Sequence, residues 1–233
     1  MSRLLALLLA CLAVAAGGCG GDDEEPASTP VAEASAGPTQ TPEDTGGEQE
    51  SGCAPAEKPK PRREDVAKPR QRLDPAKTYV ATVTTNCGAF EITLDPRRAP
   101  RTGGSFKYLA DKGFYDGLTF HRIVPGFVIQ GGDPAGDGTG GPGYLIVEAP
   151  PRNLTYDKGV VAMAKTALED PGTSGSQFFV VTGDGTSLQP DYALVGKVTK
   201  GQDVVDVIAV APVGPDEQPL EPIVIESIKV ATG

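Results

Sequence analysis

The sequence predicts a mainly β domain: a closed antiparallel barrel of seven or eight strands, capped by two short helices, behind a disordered N-terminal stalk. Three observations carry this. Short β-branched and apolar runs recur between turn residues, and glycine (30) and proline (22) are abundant in a chain of 233 residues. Only two segments have helical spacing. The first 57 residues are composed quite differently from the rest. Without a strict G-X-Y period the glycine and proline are not collagenous, and 39% hydrophobic residues exclude a wholly disordered chain.

The formal net charge of −10 argues against a nucleic-acid surface. It is concentrated: residues 20–57 hold ten acids and no base, residues 58–75 seven bases and three acids. The acidity therefore says little about what the folded part binds. One histidine and four cysteines exclude a zinc cluster of several His and Cys ligands.

At the N-terminus, Arg3 precedes an apolar run over residues 4–16, then Gly17, Gly18 and Cys19. A positive start, a short apolar core and small residues describe a secretory signal over 1–18. The run is too short to span a bilayer comfortably. Ala16-Gly17-Gly18-Cys19 resembles a bacterial lipobox, with Ala16 where leucine is usual, which makes Cys19 the expected lipidated N-terminus and the lipid the only membrane attachment. The alternative is plain secretion. Residues 19–57 carry no Leu, Ile, Met or aromatic side chain. Such a stretch cannot offset its ordering entropy by burial, so it reads as a tether; an acidic interaction tail is the other reading. Residues 58–77 form a basic, proline-rich connector. Cys53 and Cys87 are expected to pair in an oxidising compartment, two free thiols being the alternative.

The domain spans 78–232. Residues 79–85 (YVATVTT) and 89–94 (AFEITL) alternate across Asn86-Cys87-Gly88, a hairpin signal. Residues 100–112 have helical spacing, weakened by Gly103-Gly104, at a cost of about 1 kcal/mol per glycine against alanine. Strands follow at 119–124 and 126–130, then a glycine-rich loop at 131–143. That loop lacks phosphate-loop and EF-hand spacing. Further strands are expected at 160–164, 176–181, 193–198 and 223–230, with a helix at 202–209.

Residues 120–133 (FHRIVPGFVIQGGD) and 175–179 (GSQFF) resemble the two signatures of the cyclophilin family of peptidyl-prolyl isomerases. Residues 113–117, 138–144 and 195–198 are similar to other family segments in the same order. The resemblance covers about 78–232. It implies an eight-stranded barrel with two helices, a proline-containing polypeptide as partner, and catalysis of cis/trans interconversion at X-Pro bonds by a monomer. It also implies that His121, Arg122, Phe127, Gln130, Ala164, Gln177, Phe179 and Leu188 lie at the active site, with Tyr192 where members carry His or Tyr.

The residues fit that chemistry independently. Resonance puts a barrier of about 18–20 kcal/mol on peptide-bond rotation. No bond breaks, so no nucleophile, metal or cofactor is required. A fixed donor aimed at the twisted amide nitrogen in an apolar pocket favours the transition state. Arg122 is such a donor; Phe127, Val128, Phe179 and Leu188 offer an apolar cup, and Gln130 and Gln177 hold Arg122 and substrate in place. A lone histidine more often packs than transfers protons, so His121 takes a supporting role.

The chain departs from the family in having no tryptophan, with Ser187 near its usual place at the rim. Lys165 stands for a usual Asn, and the segment 165–173 is slightly long. Gly103-Gly104 and Ser105 depart within the first helix and are expected to lower stability. The resulting function is an isomerase for exported proteins; the alternative is a non-catalytic module that binds proline-containing segments.

Overall fold

The computed structural model describes residues 52–184 and 188–233. The expected signal, Cys19, nearly all of the expected tether, and Ser187 lie outside the described residues. Ten strands and two helices follow one another: β1 (Tyr79–Thr85), β2 (Gly88–Leu94), α1 (Pro100–Asp111), β3 (Leu118–Val124), β4 (Val128–Gly131), β5 (Ile146–Val147), β6 (Val160–Met163), β7 (Thr173–Ser174), β8 (Phe178–Val181), β9 (Leu194–Lys200), α2 (Gln202–Ala209) and β10 (Val224–Thr232). Eight of the strands close a barrel in the order β1-β10-β3-β4-β8-β6-β9-β2, and every ladder in it is antiparallel. β5 and β7 form a separate two-stranded ladder, too short to leave a periodic signal in the sequence.

Alternation builds the barrel. Ala81, Val83, Phe90, Ile92, Phe120, Ile123, Ile129, Phe178 and Val180 all point inward and are almost completely buried. Phe106 and Leu109 of α1 and Val205 and Ile208 of α2 close the same core. Phe106, Tyr115, Phe120 and Phe178 meet at its centre, with Phe106 and Tyr115 each edge-on to Phe178 at 5.5 and 5.7 Å. A second apolar cluster sits on the outer wall of β4, β6, β8 and β9: Val128, Ala162, Phe179, Val181 and Leu194, with Leu154, Tyr156 and Ala99. An outward face this apolar needs a cover or a ligand.

α1 begins at Pro100, whose ring presets the helical φ. No side chain of its own first turn caps it. The Glu148 carboxylate does so from 46 residues away, accepting the Arg101 and Thr102 amides at 3.1 and 2.7 Å.

The composition boundary at residue 57 is not the fold boundary. Cys53 forms a disulfide with Cys87, and the Ala54 amide donates to Asn86 O at 2.8 Å. The basic segment then runs along the barrel as a strap. Its amides at Arg62, Val66 and Leu73 donate to the carbonyls of Pro134, Pro142 and Pro100 at 2.8–2.9 Å. The Arg62 guanidinium donates to the carbonyls of Phe114 and Asp116, and the Leu73 side chain is buried in the main core. Few apolar residues are needed to hold a chain whose polar backbone groups find partners on the barrel, so composition alone reads this stretch as a connector.

Candidate active site

β3 carries a bulge between Phe120 and Arg122, where β4 advances one residue and β3 two. Phe120 and Ile123 both stay in the core, so the extra residue lets His121 and Arg122 leave it. Arg122 pairs across the sheet with Gln130, Gln130 with Phe179, Phe179 with Ala162, and Ala162 with Leu194. One cross-strand row therefore carries a guanidinium, an amide and three apolar side chains.

The polar half of the row is a chain of hydrogen bonds. Arg122 donates through Nε to Glu217 Oε2 at 2.7 Å and through Nη1 to Gln130 Oε1 at 3.3 Å. Gln130 Nε2 donates to Gln177 Oε1 at 3.0 Å, and Gln177 Nε2 to the carbonyls of Gly138 and Gly140 at 2.9 Å each. No acceptor takes Arg122 Nη2 among the described residues.

The apolar half is a cup. Phe127, Ala164, Leu188 and Tyr192 pack on the outer cluster around Phe179, with Val128 at its base. Gly126, at φ 70°, turns the chain between β3 and β4. The Phe127 carbonyl accepts from Thr182 N at 2.9 Å, which fixes that turn to β8. Tyr192 stands edge-on to Phe179 at 5.4 Å. Its backbone is held on both sides by one hydroxyl: Tyr156 Oη donates to Tyr192 O at 2.7 Å and accepts from Tyr192 N at 3.0 Å. Burial pushes the Tyr156 hydroxyl up to about 12, so it stays protonated at neutral pH. An open pocket of about 380 Å³ adjoins the cup, sharing Gln130, Ala164 and Gln177 and continuing past Gly138, Tyr144 and Lys165.

The structure thus brings together Arg122, Gln130 and Gln177 on one side and Phe127, Val128, Ala164, Phe179, Leu188 and Tyr192 on the other. His121 is not among them. Its ring is buried against the glycine-rich loop, with Nε2 near Gly138 and the Asp133 carboxylate close by. Burial holds its pKa below the ordinary histidine value, against the opposing pull of Asp133. Asp133 in turn accepts the amides of Ala135, Asp137 and Gly138, which shapes that loop. Lys165 is half-buried as a residue, but its side chain is covered, with 4% of it exposed. Its ammonium pairs with Asp191 at 2.8 Å, lies 5.5 Å from the Tyr192 ring centre and donates to the carbonyls of Thr166 and Glu169. The longer rim is fixed to the cup by this cation. Glu217 and Tyr156 were invisible in the sequence, since neither stands within a signature segment.

Residues 80–230 match the model of the family described as cyclophilin type peptidyl-prolyl cis-trans isomerase. Peptidyl-prolyl cis-trans isomerase B of Streptomyces anulatus is 40% identical over 177 residues, covering 67% of this chain and 99% of that protein. Peptidyl-prolyl cis-trans isomerase A of Mycobacterium tuberculosis is 38% identical over 175 residues, covering 67% and 94%. Among solved structures, a cyclophilin type peptidyl-prolyl cis-trans isomerase of Cryptosporidium parvum superposes with a TM-score of 0.62 at 31% identity, covering 66% of this chain and 98% of that one. Barrel, row and family match agree: the chain belongs to the cyclophilin-type peptidyl-prolyl cis-trans isomerases and is an enzyme of that activity.

Proposed function

We propose that this isomerase acts on X-Pro bonds of exported proteins, with Arg122 as the group that favours the twisted amide. One observation carries the reading: a guanidinium whose Nη2 edge is unengaged among the described residues adjoins a proline-sized apolar cup in one cross-strand row. The proline ring enters between Phe127, Phe179 and Leu188, where its apolar surface leaves water. Gln130 keeps a second Nε2 hydrogen for a substrate carbonyl, and Gln177 holds Gln130 in place through its own bonds to Gly138 and Gly140. As the C–N bond twists, the nitrogen recovers a lone pair that the planar ground states lack. A donor from Arg122 strengthens only there, which lowers the barrier rather than merely tightening binding. His121 supports the loop and transfers no proton. The test is a protease-coupled proline isomerisation assay on the full chain. Loss of rate in a folded R122A protein supports the reading, and near-normal turnover overturns it.

Export rests on the apolar run and small residues before Cys19, and on a cysteine pair suited to an oxidising compartment. Cys19 is proposed as the lipidated N-terminus, with the acidic stretch as its tether. Mass spectrometry of the N-terminal peptide from the host membrane fraction decides this. A chain beginning at acylated Cys19, released from membranes by C19S, is expected; an unmodified residue 19 in membrane-bound protein overturns it.

A further inference from the structure

We infer that Glu217 is a positioning residue for the isomerisation, a carboxylate that fixes the plane of the Arg122 guanidinium before substrate arrives. The inference rests on the reading of Arg122 as the donor to the amide nitrogen.

The first argument is geometric. The guanidinium is a rigid plane, so its orientation is defined once two of its nitrogens are held. Glu217 takes Nε at 2.7 Å and Gln130 takes Nη1 at 3.3 Å. Of the two, Glu217 makes the shorter, charge-assisted bond. Without it the group hangs on one long contact to a neutral amide and turns about that contact. The side chains of Arg122 and Glu217 remain 37% and 43% exposed, so the ion pair adds little to the fold through charge. What it supplies is direction, set before binding, which is where a donor gains over water.

The second argument is backbone strain. Glu217 sits at φ 63°, the only non-glycine residue with positive φ among the described residues. A side-chain-bearing residue is disfavoured there, and glycine is at home. The loop around it is tightly determined: Val213 and Pro219 form a bridge, Gly214 N donates to Gln218 O at 2.8 Å, and Glu217 N donates to Gly214 O at 3.0 Å. Glu217 O accepts Ile123 N at 2.8 Å. The loop is thus tied by its backbone to the residue after Arg122 and by its carboxylate to Arg122 itself. A glutamate kept where glycine fits better is strain at a site that uses the side chain.

Among the described residues no cup residue hydrogen-bonds to Glu217, so ground-state binding of the proline should not depend on it. The experiment is a cycle of R122A, E217Q, E217G and the E217Q/R122A double variant in the full chain, each with kcat, KM and melting temperature measured. E217Q and E217G are expected to lose about tenfold in kcat with KM unchanged, a part of the roughly hundredfold that a 1 Å misplacement can cost. E217Q is expected to change nothing further in the R122A background. E217G is expected to melt no lower than wild type, because it relieves the strained φ. The positioning role is overturned by kcat within twofold of wild type in folded E217Q or E217G, by a rise in KM alone, or by a loss that persists without Arg122. Activity that merely tracks melting temperature across the variants also overturns it. If R122A itself keeps its rate, the donor reading fails instead, and the two failures are told apart.

Discussion

Gly104 of α1 lies directly against the carbonyl of Gln71 in the strap: a Cβ at that position would stand 2.6 Å from the Gln71 oxygen and 3.0 Å from Arg72 Cα. One turn face of the helix is thus kept bare so that another backbone can approach. Gly103 faces the Leu73 side chain in the same way, and the Gln71 amide donates to Gly104 O at 3.3 Å. Ser105, beside them, shares a hydrogen bond with the Tyr144 hydroxyl at 2.9 Å. The three residues that weaken α1 as a helix are the ones that seat the strap and the loop against it.

G104A should therefore destabilise the domain, although alanine is the better helix former by about 1 kcal/mol. Backbone atoms cannot yield as a side-chain tip can, so the strap must lift and Leu73 leaves the core. Burial of a leucine is worth about 1.5–3 kcal/mol, and the melting temperature should fall accordingly. Thermal denaturation checks the sign. A stabilised G104A would mean that the strap contributes nothing to α1.

R122A is expected to lower kcat/KM by about two orders of magnitude, the usual worth of a preorganised donor, while the barrel stays folded. Among the described residues the Arg122 side chain hydrogen-bonds only to Glu217 and Gln130, both on the surface side of β3, so circular dichroism should be unchanged.

Y156F should loosen the cup without entering it. The substitution removes both bonds to the Tyr192 backbone, and an unsatisfied buried polar group costs about 1–3 kcal/mol. Tyr192 then loses its fixed stance against Phe179, so KM for a proline peptide should rise more than kcat falls. Steady-state kinetics separate the two. Because the hydroxyl is pushed up to about 12, wild-type activity should show no alkaline break from this group below that pH.

His121 gives a pH signature in stability rather than in rate. Its folded pKa lies below the unfolded value because burial disfavours the charged ring. Above about pH 6.5 both states are neutral and no penalty arises. As pH falls below that, the unfolded chain binds a proton that the folded chain refuses, so stability drops until the folded pKa is reached. H121N should flatten this acid limb in denaturation curves, and the rate of folded wild type should stay level over the same range.

Reduction of the Cys53–Cys87 disulfide should lower the melting temperature while leaving turnover intact. The closed loop of 34 residues is worth roughly 3–4 kcal/mol at most. The bond joins the start of the strap to the β1–β2 turn, on elements that contribute nothing to the cup. Native thiol labelling after mild reduction, followed by the isomerase assay, tests both halves.

Much of this protein is legible in its sequence because strand alternation is a local property. The runs 79–85 and 202–209 have the bounds that the structure gives β1 and α2, and the signature segments name Arg122, Gln130, Gln177 and Phe179 without coordinates. Tertiary structure alone decided what depends on distant partners. Glu217 meets Arg122 across 95 positions, Tyr156 reaches Tyr192 across 36, and Gln71 reaches Gly104 across 33. None of these pairs leaves a period or a motif, since each partner is chosen by how distant segments pack in the fold. The glycine pair in α1 makes the point most sharply. By propensity it is a defect in a helix, and only the strap lying across it turns the missing side chains into a fit.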